Sequence, residues 1–396
     1  MMTRRGFFLP TLAALARPAA RITRVELLPV RATARTVWLF VRLHASGGLS
    51  GLGEASDAFG FASTTKQQAA RMESELRALF TLIDGRSPLD IEWFRQQAWP
   101  RIQKEGLVVA TAFSALEQAM WDLAGQALAL PVCDLLGGAV RTAMPAYANI
   151  NRSVTDRVPA GFAAAARRAV ADGFRAIKLA PFDGYPQGAS ATAEAVKRHV
   201  DNGVASIAAA REAVSDGVRV MVDAHSFFSV PQAIEIAARL EPYQLSWYEE
   251  PVAPTLTAET LAIRKAIKQP MAGGEMLFAL RGFHDLVETR AVAIIMPDVK
   301  HCGGLLELTR IAAAAAAQGV DVSPHNPSGP VATTASAHVC STIANFAILE
   351  VQVGEAPWRG EAIDPPEAVV KGNVHLATGA GLGVRLRDEV VRRYAL

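Results

Sequence analysis

Two kinds of apolar pattern divide the chain. From Ile22 to Leu43 the residues are apolar, β-branched and aromatic, in the runs Ile22-Thr23-Arg24-Val25-Glu26-Leu27 and Val37-Trp38-Leu39-Phe40-Val41. Gly47-Gly48 reads as a turn, and a third strand-like piece runs into Gly51-Leu52-Gly53-Glu54. Helical periodicity follows, from about Thr65 to Leu82, Ser87 to Ile102 and Ala110 to Leu130, punctuated by Asp84-Gly85 and Pro131. A small sheet followed by helices predicts an α+β unit over residues 22–140.

After Met144 the pattern becomes strict alternation. Short apolar runs, each followed by an Ala-rich helical stretch, occur at Ala146–Ile150, Ala176–Leu179, Val218–Asp223, Ser246–Glu249, Met271–Glu275, Val292–Asp298, Val320–His325 and Phe346–Glu350. Alternating β and α segments predict a parallel sheet. Eight runs in about 200 residues predict a closed α/β barrel of the (β/α)7β type over residues 145–355. An open doubly wound sheet would carry a glycine-rich phosphate loop after an early strand, and none is present.

Charged and imidazole groups fall at or near the ends of these runs: Lys178, Asp223, Glu249, Glu275, Asp298, His325 and Glu350. The C-terminal ends of barrel strands converge on one mouth, where active sites lie. Asp223, Glu249 and Glu275 follow one another at intervals of 26 residues, so they are expected side by side on the rim. Three adjacent carboxylates repel unless a cation joins them, and all-oxygen ligation favours a hard cation, Mg²⁺ before Mn²⁺ or Ca²⁺. Solvated loop acids or helix N-caps are the alternative. Asp298 is expected to orient His325. His225 is expected on the same side of its strand as Asp223, with a role in proton chemistry or as a capped-loop histidine. Lys178 is read as a base, as a cationic partner for a substrate carboxylate, or as a surface lysine.

Composition narrows the classes. The chain has 396 residues, 51% of them hydrophobic, with 40 Lys+Arg against 38 Asp+Glu. Such a chain buries a large core, and a formal charge of +2 supplies no broad footprint for nucleic acid. Three scattered cysteines give neither a disulfide framework nor a zinc site. No apolar run reaches the length of a membrane span. Arg4-Arg5, followed by an apolar stretch and Ala14-Leu15-Ala16, resembles a short twin-arginine export signal in residues 1–21, with periplasmic localisation as the consequence. A frayed basic terminus on a cytoplasmic protein is the other reading.

Several segments together resemble the enolase superfamily, in its mandelate racemase/muconate-lactonising group. Ser114-Ala115-Leu116-Glu117-Gln118-Ala119-Met120-Trp121-Asp122-Leu123-Ala124-Gly125 with Leu135-Leu136-Gly137-Gly138 resembles the end of that family's capping domain. Val222-Asp223, Tyr248-Glu249-Glu250-Pro251 and Gly273-Gly274-Glu275 resemble its metal-ligand segments. Met296-Pro297-Asp298 with Cys302-Gly303-Gly304, and Ser323-Pro324-His325-Asn326-Pro327, resemble its Asp–His dyad segments.

The resemblance implies a TIM-type barrel under an N-terminal α+β cap, completed by a C-terminal segment, residues 356–396, that returns to the cap. It implies Mg²⁺ on Asp223, Glu249 and Glu275, His325 as general base or acid oriented by Asp298, and Glu350 as a hydrogen-bond partner near the substrate carboxylate. Its shared chemistry is removal of the proton α to a carboxylate to give an enediolate. Racemases of the group carry Lys-x-Lys on the second strand, whereas this chain reads Lys178-Leu179-Ala180. Asp223-Ala224-His225 resembles instead the acid-sugar dehydratases related to galactonate dehydratase, in which that histidine protonates the departing hydroxyl.

The expected activity is dehydration of a sugar acid or related hydroxy acid, a small-molecule carboxylate. A racemase, epimerase or cycloisomerase, and a catalytically silent metal-stabilised binding protein, are the alternatives. Gly53 to Ser63, with Asp57, Phe59 and Phe61, is the expected selectivity loop. Homo-oligomer formation stays open.

Overall fold

A computed structural model describes residues 19–60 and 63–396. Arg4-Arg5 and the apolar stretch after them lie outside the described residues, as does Phe61. The N-terminal unit begins with the antiparallel meander β1 (Ile22–Arg31), β2 (Val37–Ala45) and β3 (Ser50–Glu54). Period-two alternation on β2 sends Leu39, Val41 and Leu43 into one core and Trp38 and Phe40 into another. The first core is closed by α1 (Lys66–Phe80), α2 (Ile91–Glu105) and α3 (Leu107–Leu128), through Met72, Leu76, Phe94, Phe113 and Leu116. Thr65 starts α1 with a reciprocal capping box to Gln68. The short α4 (Val132–Leu135) leads away from the cap.

Eight parallel strands then form the barrel: β4 (Ala143–Asn149), β5 (Ala176–Leu179), β6 (Arg219–Asp223), β7 (Trp247–Glu249), β8 (Met271–Gly273), β9 (Ile294–Ile295), β10 (Asp321–Val322) and β11 (Leu349–Gln352). Seven helices cross between them: α5 (Pro159–Ala171), α6 (Ala193–Glu212), α7 (Val230–Leu240), α8 (Thr257–Ala266), α9 (Ala279–Glu288), α10 (Gly304–Ala317) and α11 (Pro330–Cys340). β11 pairs with β4, and the bridge Val322↔Phe346 closes the ring. Several strands differ from the runs read in the sequence: β4 starts earlier, at Ala143, and β8 ends at Gly273, two residues before Glu275. β9 and β10 stop before Pro297 and Pro324, which lack the N–H a ladder needs. Phe346 makes the closing bridge, so the eighth ladder starts at Leu349 and Glu350 is its second residue rather than its last.

The tail adds β12 (Ile363–Asp364), β13 (Val369–Val370), β14 (Asn373–His375), β15 (Arg385–Leu386) and α12 (Asp388–Arg393). β14 pairs antiparallel with β4, away from the mouth. The chain then reaches the cap, where the amide of Arg31 donates to the Tyr394 carbonyl at 2.7 Å and Trp358 stacks on Tyr394 at 3.9 Å.

The α3 segment that resembles a family signature joins cap to barrel. Glu117 is buried and accepts from the amides of Leu305 and Leu306 at 2.8 and 3.0 Å, capping α10. A Cβ on Gly304 would sit 2.0 Å from Glu117 Oε2, so only glycine fits there. Asp122 accepts from Leu52 and Leu382, both at 2.8 Å, tying cap strand and tail together. Among the described residues no helix is long and apolar enough to cross a membrane.

Candidate active site

The barrel floor and the site above it are one period-two pattern. Tyr147, Ala176, Met221, Trp247, Met296 and Ile348 pack together inside the barrel. Two residues further along each segment come Asn149, Lys178, Asp223, Glu249, Asp298 and Glu350. In β4, β5, β6 and β7 strand alternation places each pair on the same inner face, and Asp298 and Glu350 join them from the segments that follow β9 and open β11, so an apolar floor carries a polar layer at the mouth.

Asp223, Glu249 and Glu275 are buried, and each offers a carboxylate oxygen within 4.8 Å of the others. Trp247 Nε1 donates to Glu249 Oε2 at 2.9 Å. Glu275 Oε2 is buried without a hydrogen-bond partner, and its neighbour is His325 Nε2 at 3.2 Å. Burial, and then the charge of Asp223, pushes Glu249 well above the ordinary carboxylate range. The same two causes, with Glu250 and Glu249 added, raise Glu275. Asp223 is lowered instead: burial opposes its charge, but His225 and Lys178 outweigh burial. Glu250 is not part of this face. Its Oε1 accepts from Gly274 at 2.7 Å and its Oε2 from Ser226 at 3.2 Å, fixing the loops beside the acids.

Lys178 Nζ lies 2.9 Å from Glu249, 3.2 Å from Glu350 and 3.6 Å from Asp223. Burial works against its charge, but these acids hold the ammonium well above its ordinary pKa. The surface-lysine reading is therefore corrected: the side chain is buried in the acid cluster. Glu350 is pinned by Asn149 Nδ2 at 2.6 Å and the Asn326 amide at 2.9 Å.

His325 Nδ1 is 2.8 Å from Asp298 Oδ2. Lys300, not singled out in the sequence, is wholly buried and reaches the same oxygen at 2.5 Å. Burial opposes ionisation of Asp298, but Lys300, His301 and His325 bring it below the carboxylate range. His301 itself is pushed down to about 4 by burial.

His225 reaches the cluster by a route the strand pattern does not give. β6 ends at Asp223, and His225 and Ser226 take positive φ of 45° and 59°. The turn, not strand alternation, brings His225 Nε2 to 3.2 Å from Asp223 Oδ2. Its Nδ1 lies 2.5 Å from Asp183, a loop residue after β5 that sequence reasoning missed. Burial disfavours the imidazolium, but Asp223 and Asp183 raise His225 well above the usual histidine value.

A cavity of about 320 Å³ opens between these groups, with Lys178, Asp223, His225 and His325 in its wall, and Arg35 and Arg152 at its cap side. In the expected selectivity loop, Asp57 accepts from Ser328 Oγ and pairs with Arg152 at 3.3 Å, fastening the cap to the mouth.

Comparison with known proteins agrees with this architecture. Residues 161–390 match the family described as enolase C-terminal domain-like, and residues 19–137 match the mandelate racemase / muconate lactonizing enzyme N-terminal domain. The chain belongs to the mandelate racemase/muconate lactonizing enzyme group of the enolase superfamily. Among its relatives, D-gluconate dehydratase of Thermoproteus tenax is 32% identical over 316 residues, 78% of this chain; the match spans 62% of the relative's length. D-galactonate dehydratase of Pectobacterium atrosepticum is 29% identical over 368 residues, 89% of this chain and 90% of the relative. The crystal structure of mandelate racemase/muconate lactonizing enzyme from a Sulfitobacter species superposes with a TM-score of 0.85 at 27% identity, covering 95% of this chain and 96% of that one.

Membership of this superfamily implies a divalent cation. The residues fit one: three buried carboxylates converge, and one buried oxygen among them has no hydrogen-bond donor.

Proposed function

We propose that this member of the enolase superfamily is a Mg²⁺-dependent hydro-lyase that removes water from a sugar acid to give a 2-keto-3-deoxy acid. Asp223, Glu249 and Glu275 would hold the cation, and their all-oxygen donor set favours Mg²⁺, with Mn²⁺ as a substitute. When bound, the cation supplies positive charge beside the substrate carboxylate as that group gains electron density.

The observation that carries the reading is the pair of imidazoles. His225 follows β6 and His325 follows β10, four strands apart in a ring of eight, so they face each other across the mouth. Each directs Nε2 toward the acid cluster, at 3.2 Å from Asp223 and from Glu275 respectively. A base on one side and an acid on the other suit anti elimination. Position 180, two beyond Lys178, is alanine, which leaves a lysine-based racemase without its base.

In this mechanism His325 Nε2 takes the α-proton, with Nδ1 held by Asp298. Lys178 keeps its charge and neutralises the enediolate rather than acting as a base. Glu350 holds Lys178 in place. The enediolate expels the β-hydroxyl, His225 gives it a proton, and water leaves. The resulting enol tautomerises to the ketone. The names of the dehydratase relatives support a sugar acid as substrate.

Incubation with D-gluconate, D-galactonate and a panel of further aldonic acids in Mg²⁺ tests this. A 2-keto acid is expected from at least one, and not in chelator. Epimerisation without a keto product would assign the site to an isomerase.

A further inference from the structure

His225 and His325 are held alike. His325 Nδ1 meets Asp298 at 2.8 Å, and His225 Nδ1 meets Asp183 at 2.5 Å. Both rings therefore have one nitrogen tied to a carboxylate and the other, Nε2, aimed at the acid cluster. We propose that Asp183 is the positioning residue for His225, fixing the ring so that its Nε2–H is delivered to the departing hydroxyl. This inference rests on the dehydratase reading above.

The surroundings of Asp183 are built for that task. Its Oδ2 accepts from Asn151 Nδ2 at 2.9 Å and lies 3.3 Å from Arg157, while Oδ1 faces His225. Both oxygens are thus committed, one to donors on the neighbouring loop and one to the imidazole. The backbone beneath is anchored by Phe182, which is buried edge-on against Phe228 at 5.1 Å. Gly203 of α6 makes room for that ring, since a Cβ there would approach it to 2.3 Å. A carboxylate whose anchor residue is buried and whose second oxygen is fixed restrains an imidazole far better than a free loop acid.

Asp183→Asn is the informative variant because it is isosteric. Asn151 and Arg157 are donors, so they keep the amide oxygen on their side and turn the amide –NH₂ toward Nδ1. The ring nitrogen must then accept, and a ring that carries its single proton on Nε2 cannot give it up. Dehydration should fall about 100-fold or more, while exchange of the substrate α-proton with D₂O, which does not need His225, should stay within about threefold of wild type.

The experiment measures both rates by NMR, for wild type, Asp183→Asn, Asp183→Ala and His225→Asn, with D-gluconate or D-galactonate, whichever the wild type dehydrates. Loss of dehydration with exchange retained, in both Asp183 variants, supports the assignment. Parallel loss of both rates would show a merely structural role and overturn it, as would wild-type dehydration by Asp183→Asn when His225→Asn is inactive. Wild-type dehydration by His225→Asn would instead overturn the reading of His225 as the acid, on which the inference stands.

Discussion

Lys300 donates to Asp298 Oδ2 at 2.5 Å, and both side chains are wholly buried. The ammonium is kept charged by Asp298 and, from the cap side, by Asp57 and Glu54, against the cost of burial. The carboxylate that orients His325 therefore depends on a cation that itself depends on the cap loop being seated.

Removing one partner of a buried ion pair leaves the other charge uncompensated. Lys300→Met is expected to destabilise the protein by about 3–5 kcal/mol. The double variant Lys300→Met/Asp298→Asn should recover much of that loss, because neither charge remains. Urea titration of the two variants checks this. Equal stability of the single variant and wild type would mean that the pair is not buried as described.

The acid cluster gives a pH dependence with a definite sign. Without a cation, Glu249 and Glu275 are held above the ordinary carboxylate range by burial and by Asp223. Protons on them favour the folded state below the ordinary glutamate pKa, and this contribution is lost as pH rises through their raised values. A cation replaces those protons, so its affinity should climb with pH and its binding should release protons. The gap in Tm between Mg²⁺-loaded and chelated protein should accordingly widen from pH 5 to pH 8. At a Mg²⁺ concentration 100 times Kd the stabilisation is about 2.7 kcal/mol. Glu275→Gln should abolish the gap and leave the fold intact. A gap independent of pH would contradict the carboxylate site.

What the sequence made legible follows from geometry that repeats. Strand alternation and barrel closure force residues such as Lys178, Asp223 and Glu249 onto one mouth, so their placement could be argued from position alone. The loop residues obey no such period. Asp183 lies beyond β5 in a turn, and nothing in Pro181-Phe182-Asp183-Gly184 announces that Phe182 is buried and Asp183 meets a histidine 42 residues away. Lys300 carries no mark in the sequence that sets it apart from other lysines. It is wholly buried, and the charges of Asp57 and Glu54 in the cap act on it, a tertiary arrangement with no local signature. Strand alternation puts His225 beside Asp223 in the sequence, whereas in the structure two left-handed residues, not a continued strand, turn it inward.

The central claim is that His325 removes the α-proton and His225 completes the loss of water. It is tested most directly by following one aldonic acid in D₂O with wild type, His325→Asn and His225→Asn, reading α-deuteration and 2-keto acid together. The account predicts that wild type gives the keto acid, that His325→Asn gives neither signal, and that His225→Asn deuterates the α-carbon without losing water. Dehydration by His225→Asn at the wild-type rate, or α-deuteration surviving in His325→Asn, would contradict it.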